Sequence, residues 1–237
     1  VWLGIPWAAN PLLGAGALFL FAKMATKLSD DPRAPGLVVL LVLASPAFIV
    51  NAMSYHATNA YLTLNLLYVT LLIQPTPKRL LLAGFVGSWA LIMKNPIPHT
   101  MVAIPWMAWL LWRPGRWKNL SWLCLGYLPL AVLVGATWPV MVRRMVETGV
   151  VSSTASIPMN PVIRVFRMGF GFITGIFKIP NTWLIYFRGI GLLKLALWAV
   201  PGMFALALLG VFRGRKNTFV WLLLASVVLN MLMYLFL

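Results

Sequence analysis

Residues 119–144 have the sequence NLSWLCLGYLPLAVLVGATWPVMVRR. The run 119–142 contains no Asp, Glu, Lys or Arg, and it ends at the paired cations Arg143 and Arg144. An uncharged apolar run of about 18 residues or more is long enough for a helix that crosses the hydrocarbon core of a bilayer. This stretch therefore predicts a membrane-spanning helix with a basic end, and similar runs recur along the chain.

The composition of the whole chain agrees with this interpretation. Of its 237 residues, 62% are hydrophobic and only 9% are charged, and the mean hydropathy is +0.91. Soluble domains carry about 25% charged residues. The composition therefore excludes an ordinary soluble globule, a disordered tail and a disulfide scaffold. The apolar runs are continuous rather than alternating, which favours helices over the strands of a membrane barrel.

We predict an all-α fold, a polytopic transmembrane helical bundle of about eight spans. Residues 1–237 form a single transmembrane domain in this prediction. The predicted spans lie at about 10–28, 36–54, 57–73, 80–93, 97–112, 119–142, 190–212 and 217–237.

Basic residues in the loops predict the topology of the bundle. Eleven of them fall on one side if every predicted span crosses: Lys23, Lys27, Arg33, Lys78, Arg79, Arg113, Arg116, Lys118, Arg213, Arg215 and Lys216. Short loops on the cytoplasmic side of a membrane are enriched in Lys and Arg. The opposite, outer side then carries short turns at 54–56 and 94–97 and a long segment, 143–189.

The long outer segment contains one polar stripe. Its members recur at spacings of three and four residues: Arg164, Arg167, Gly171, Thr174 and Lys178. This spacing predicts an amphipathic helix that lies in the membrane interface. A ninth span in this segment is disfavoured because three glycines lower its helix propensity: Gly169, Gly171 and Gly175. A ninth span would also move the basic cluster 213–216 to the side opposite the other basic loops. The stripe is also explained by cations that snorkel to head groups without binding a ligand.

The charge balance restricts the partners and the chemistry. The chain has 19 Lys and Arg but only three acidic residues, Asp30, Asp31 and Glu147. The cations are scattered between apolar runs, so we expect contact with membrane lipid and no nucleic-acid partner. Asp30 and Asp31 fall in a predicted cytoplasmic loop, where they are turn or cap residues before Arg33, so this chain cannot form a two-carboxylate site. A metal site would need Glu147 with His56 or His99, and we predict neither a metal nor a cofactor.

Polar residues gather at the predicted outer ends of the spans. The candidate substrate-binding residues are Tyr55 and His56 at one turn, Lys94, Asn95 and His99 at the next, and Arg143 and Arg144 after residue 142. Polar and ionisable groups at membrane depth are candidates for function. Several cations on one face suit an anionic ligand such as a lipid phosphate or diphosphate. Alternatively, each of these side chains only reaches toward the head groups.

Two stretches carry a resemblance to a known family. They are NPLLGAGALFLFAKMATKLSDDPRAPGLVVLLVLASPAFIVNAMSYHATNAYLTLNLLY (10–68) and LIMKNPIPHTMVAIPWMAWLL (91–111). In order and spacing they resemble membrane glycosyltransferases of the GT-C superfamily, in the branch of protein O-mannosyltransferases and aminoarabinose transferases. The matching features are the NPLLG opening, Ser45-Pro46, Tyr55-His56 and Lys94-Asn95-Pro96. The family more often has Arg at the position of Lys94.

The resemblance, which covers about 10–112, implies a function at the outer face of a bacterial inner membrane. A multi-pass protein would transfer a sugar, with inversion, from a polyprenyl-phosphate donor to a lipid, glycan or protein acceptor. The family's catalytic base is an acidic residue of the first outer loop, which would precede Val1. Lys94, Arg143 or Arg144, and His56 or His99 would stabilise the phosphate leaving group electrostatically.

Two other functions remain open on the sequence alone. A transporter or flippase for an anionic lipid-linked substrate shares the cationic face, and it would need a path to the cytoplasmic side. A non-catalytic membrane assembly protein would leave that face without a ligand. Val1 is not Met and the apolar run that ends at Leu237 has no polar flank, so we expect a fragment that lacks an N-terminal span and the first outer loop.

Overall fold

The computed structural model describes residues 8–53, 58–93, 96–149, 159–176, 182–199, 210, 214 and 216–236. These residues form helices and no strand, which confirms the predicted all-α class. The ten helices are α1 Ala9–Leu28, α2 Ala34–Leu43, α3 Pro46–Met53, α4 Thr58–Leu72, α5 Pro77–Met93, α6 Pro96–Leu111, α7 Arg116–Glu147, α8 Pro161–Ile176, α9 Thr182–Ala199 and α10 Thr218–Phe236.

Proline determines where several of these helices begin. α3, α5, α6 and α8 start at Pro46, Pro77, Pro96 and Pro161. The first turn of a helix does not use its amide N–H groups internally, and the fixed φ of proline suits this position. A proline inside a helix removes one backbone hydrogen bond, yet α6 continues through Pro105 and α7 through Pro129 and Pro139.

Three described helices are long and apolar enough to cross a membrane, judged by length and composition: α1, α7 and α10. The bent pair of α2 and α3 makes a fourth if it counts as one broken span. α4, α5 and α6 have 15, 17 and 16 residues, at or below the shortest usual length of about 17 for a spanning helix. The count of about eight spans therefore stays a prediction.

The predicted second span, 36–54, is bent. α2 ends at Leu43, α3 begins at Pro46, and their axes differ by 67°. Pro46 has no N–H to donate to the carbonyl of Val42 four residues earlier. The amide of Ser45 donates to that carbonyl instead, at 3.1 Å, and closes the helix.

α7 is longer than the predicted sixth span. Its 32 residues extend over about 48 Å at 1.5 Å per residue, whereas a hydrocarbon core is about 30 Å thick. The helix continues through Pro129 and Pro139 and ends at Glu147, so Arg143 and Arg144 lie in its last turns. The first residues of the predicted outer segment 143–189 are therefore a continuation of a helix.

The later helices also differ in their bounds. α9 begins at Thr182, before the predicted start of the seventh span at 190, and residues 200–209 of that span lie outside the described residues. α8 confirms a helix within 143–189. Its predicted place in a membrane interface is not tested.

Two glycines allow α5 and α7 to cross in contact. A Cβ atom on Gly84 would overlap the carbonyl oxygen of Leu123, and one on Gly126 would overlap that of Leu81. Small residues at a crossing permit such backbone contact. The buried core continues from here into α4 and α6, and it includes Leu72, Leu80, Ala83, Trp106, Leu110 and Leu123.

The predicted cytoplasmic loops meet in two places. Lys27 of α1 lies within electrostatic range of Arg79. Arg113, which stacks over Trp109 at 4.1 Å, shares a cavity of about 480 Å3 with Lys216. The end of α6 and the start of α10 therefore lie at the same end of the bundle.

The α5–α7 crossing predicts a strong effect of a single methyl group. Gly84→Ala forces the two backbones apart, and overpacking of this kind costs about 3 kcal/mol at the upper end of its usual range. We expect a clearly lower melting temperature in detergent micelles. Gly36→Ala is the control, because a Cβ atom there meets nothing within 4 Å. Equal melting temperatures for the two variants would contradict the crossing.

Candidate functional site

A chain of three polar side chains crosses the apolar interior. Nδ1 of His99 lies 2.8 Å from Oδ1 of Asn65, and Nε2 lies 2.9 Å from the hydroxyl of Tyr127. His99 has no exposed surface. α4, α6 and α7 each supply one member, so the chain joins three helices through their polar groups.

The donors in this chain follow from the orientation of the Asn65 amide. Its Nδ2 donates to the backbone carbonyl of Tyr61 at 2.8 Å, which directs Oδ1 toward His99. Because Oδ1 can only accept, Nδ1 of His99 carries the proton. The neutral ring then accepts at Nε2 from the hydroxyl of Tyr127.

Neighbouring residues fix the position of Tyr127 and His99. The Tyr127 hydroxyl occupies the space that a Cβ atom on Gly87 would need. The hydroxyl of Ser88 donates to the backbone carbonyl of Tyr127 at 3.2 Å. The ring of Tyr68 meets the His99 ring edge-on, with centroids 4.9 Å apart. The chain is therefore held in place by packing as well as by its own hydrogen bonds.

A larger cavity of about 910 Å3 lies between α1, α2, α4, α6, α9 and α10. Its polar wall residues are Asn65, Ser226, Asn230 and Tyr234, and no charged residue is among the described residues that line it. Asn230 donates to the carbonyl of Ser226 at 2.8 Å, and Ser226 donates to that of Leu222 at 2.9 Å. The wall is therefore mainly apolar and suits a hydrocarbon ligand.

A smaller cavity of about 450 Å3 lies between α5, α6, α7 and α8. His99 and Tyr127 lie in its wall, whereas Asn65 lies in the wall of the larger cavity. The three-residue chain therefore runs from one cavity to the other.

Arginines stand near one end of each cavity. Nη1 of Arg188 in α9 donates to the carbonyl of Leu235 at 3.3 Å, and Gly191 and Tyr234 beside these residues line the larger cavity. Nη2 of Arg164 in α8 donates at 3.5 Å to the carbonyl of Ile92, whose side chain lines the smaller cavity.

Four of the predicted site residues, Tyr55, His56, Lys94 and Asn95, lie outside the described residues. His99 is enclosed in the bundle with both ring nitrogens engaged, so in this arrangement it does not offer a donor to a phosphate.

The two predicted arginines of α7 are exposed. Nε of Arg143 donates to Oε1 of Glu147 at 2.8 Å. An exposed pair of this kind contributes little to stability. The described contacts do not bring Arg143 or Arg144 together with His99.

The sequence interpretation missed Asn65, Tyr127 and Arg188. Asn65 and Tyr127 are single polar residues within apolar runs, a pattern that marks functional or structural polar contacts in membrane helices. Their pairing with His99 joins residues far apart in the chain, which no local pattern indicates. The residues of the predicted polar stripe on α8 differ in exposure, because Arg164 is partly buried whereas Arg167 is exposed.

Among the described residues, His, Cys, Asp and Glu form no group of three that would hold a metal ion. Comparison with known proteins finds no matching family model, no matching curated protein and no matching solved structure.

The buried chain predicts an order of stability among three variants. His99→Leu leaves both Asn65 and Tyr127 without their partner, and we expect a loss of about 3 kcal/mol. Tyr127→Phe leaves one ring nitrogen unpaired and costs less, about 1 to 2 kcal/mol. Thr137→Val, on the exposed side of α7, is the control and stays near the wild type. Thermal unfolding in detergent micelles measures the stability of all three variants. A His99→Leu protein that melts like the wild type contradicts the hydrogen-bonded chain of Asn65, His99 and Tyr127.

Proposed function

We propose that the chain is the membrane part of a glycosyltransferase that takes a sugar from a polyprenyl-phosphate donor. The acceptor is a lipid, glycan or protein at the outer face of the membrane. The resemblance of residues 10–112 to GT-C enzymes supports this proposal. The main structural support is the larger cavity, an apolar space of about 910 Å3 with Arg188 near one end.

This combination matches the two parts of a polyprenyl phosphate. A wall that is mainly apolar accepts an isoprenoid chain through the hydrophobic effect. Arg188 lies three residues before Gly191 on α9, so both lie on one face of the helix. A guanidinium at that position binds phosphate oxygens with charge-assisted hydrogen bonds.

The position of Arg188 also agrees with an outer-face site. α10 begins beside Lys216, next to Arg113, at the end of the bundle where basic loops meet. Leu235, which accepts the hydrogen bond of Arg188, lies at the other end of α10. In the predicted topology that other end faces outward.

The proposed reaction is a single displacement at the anomeric carbon. The acceptor hydroxyl forms the new C–O bond while the bond from the sugar to the donor phosphate breaks. The hydroxyl proton goes to a carboxylate, which the resemblance assigns to an outer loop before Val1. The leaving polyprenyl phosphate gains negative charge, and cations near it lower the barrier.

Arg188 provides the first test. Arg188→Gln removes a charge-assisted contact to the donor phosphate, and we expect sugar transfer to fall about 10- to 100-fold. Arg188→Lys keeps the charge and recovers part of the activity. Lys194→Gln is the matched control, since Lys194 is an exposed cation on the same helix. The assay uses the intact protein in its native membrane with radiolabelled polyprenyl-phosphate sugars.

Binding of sugar-free polyprenyl phosphate separates recognition from turnover. Arg188→Gln weakens this binding as well if Arg188 holds the phosphate. Unchanged binding and unchanged transfer in a folded Arg188→Gln protein would remove Arg188 from the site.

Lys94 and Arg143 remain predicted contacts of the leaving group. Lys94→Ala and Arg143→Ala, each made in the intact protein, lower the turnover number if their charges stabilise the leaving phosphate. Glu147→Gln frees Arg143 from its ion pair without changing its position on α7, and it serves as the comparison for that residue. Normal turnover in both Ala variants excludes the two residues from the mechanism.

The same assay distinguishes the transferase from a transporter. A transporter would bind polyprenyl phosphate at the larger cavity and form no labelled product with any donor. Labelled product that is lost when the upstream acid is replaced supports the transferase.

A further inference from the structure

We propose that the smaller cavity is a separate site for an anionic phospholipid. One acyl chain occupies the cavity between α5, α6, α7 and α8, and the phosphate lies at Arg164 on α8. This site does not depend on the identity of the sugar donor, because among the described helices α6 is the one that its wall shares with the larger cavity, and its cation belongs to α8.

The hydrogen-bond donors of the cavity wall exclude a polar ligand inside it. Each hydroxyl or ring N–H in the wall already donates within the protein. Ser88 donates to the Tyr127 carbonyl, Thr100 to the Pro96 carbonyl, His99 to Asn65, and Tyr127 to His99. Apart from the weak S–H donor of Cys124, a carbonyl or a charged head group would find no available donor among these wall side chains and would lose its hydration, at a substantial cost. The remaining wall is aliphatic and aromatic, so an acyl chain fits it.

The mouth of the cavity opens among exposed apolar side chains. Ile104, Leu128 and Phe166 line the cavity and are also 39%, 53% and 75% exposed. Single exposed apolar residues are ordinary, but a contiguous group at a cavity mouth marks a site of contact with an apolar partner. A chain that enters past these residues comes from the lipid phase and not from water.

Charge complementarity selects the lipid head group. Val162, Val165 and Phe166 contribute to the cavity wall from α8. Arg164 reaches the carbonyl of Ile92, a wall residue, which places its charge at the rim. Arg167 follows one turn later and is exposed. A cation at the rim favours a phosphate without a compensating positive group, as in phosphatidylglycerol, over the zwitterionic phosphatidylcholine.

Photo-crosslinking tests directly whether an acyl chain occupies the smaller cavity. The intact protein is placed in nanodiscs of dioleoylphosphatidylcholine that contain a phosphatidylglycerol with a diazirine in its acyl chain. We expect labelled peptides from α7 near residues 124–131 and from α8 near residues 162–166. Ala131→Trp fills the cavity and lowers this labelling about tenfold. Val132→Trp is the matched control, because Val132 is 64% exposed on the adjacent position of α7.

The head-group preference has its own variant. Arg164→Gln lowers the preference for the phosphatidylglycerol probe over a phosphatidylcholine probe about fivefold, while the sites of labelling stay the same. Arg167→Gln is the matched control, because Arg167 is an exposed cation on the same helix. Full labelling of the same peptides in a folded Ala131→Trp protein overturns the proposed acyl-chain site. A ratio of one between the two probes in the wild type overturns the anionic preference. Cross-links that join two copies of the chain at these peptides show a protein interface instead and overturn the proposal.

Cys124 supplies a measurement on the unmodified chain if Ala131→Trp does not fold. It is the only cysteine of the sequence, and it lines the smaller cavity. Bound phosphatidylglycerol shields its thiol, so alkylation by N-ethylmaleimide in micelles becomes slower as phosphatidylglycerol is added, and less so with phosphatidylcholine. Equal alkylation rates with and without phosphatidylglycerol overturn the proposal.

Discussion

The backbone contact between Gly84 and Gly126 is the constraint on which the rest of the structure depends. In a helical bundle surrounded by lipid, apolar side chains gain little by leaving lipid for protein, so helices associate through close packing and polar contacts. The two glycines let α5 and α7 approach until each backbone touches the other. This approach fixes the height and rotation of α7, and Gly87 then leaves space for the Tyr127 hydroxyl. His99 can meet Tyr127 only because the glycines bring that hydroxyl within 2.9 Å of its ring.

The buried polar chain makes this packing specific. Apolar helices can rotate or slide against one another at small cost, whereas a displaced hydrogen bond leaves a buried polar group unpaired. Asn65, His99 and Tyr127 come from three helices and satisfy one another in only one relative arrangement. The same residues separate the two cavities. The walls of the two cavities therefore include the groups that hold the helices in register.

The sequence predicted the helical class because uncharged apolar runs, separated by Pro and by basic loops, are a local property of the chain. It placed α1, α4, α6 and α10 near their observed bounds for the same reason. It did not indicate the 67° bend between α2 and α3, because a proline within an apolar run leaves hydropathy unchanged. It predicted His99 as a substrate-binding residue at the outer end of a span, and it did not indicate that the ring is covered, because periodicity does not reveal which side of a short helix is buried. The partners of His99 are 34 and 28 positions away in the chain, so only the tertiary packing identifies them.

The two arginines at the cavities are held by one kind of interaction. Arg164 donates to Ile92 and Arg188 donates to Leu235, and each acceptor lies in the last turn of its helix. The last carbonyls of a helix have no partner within it and carry partial negative charge, which attracts a guanidinium. α8 and α9 are thereby attached to the ends of α5 and α10. Because both ends stand beside an apolar cavity, the attachment of these helices also places a positive charge at each cavity. In the proposed functions, the contacts that cap these helices therefore also position the cations that bind amphipathic anions.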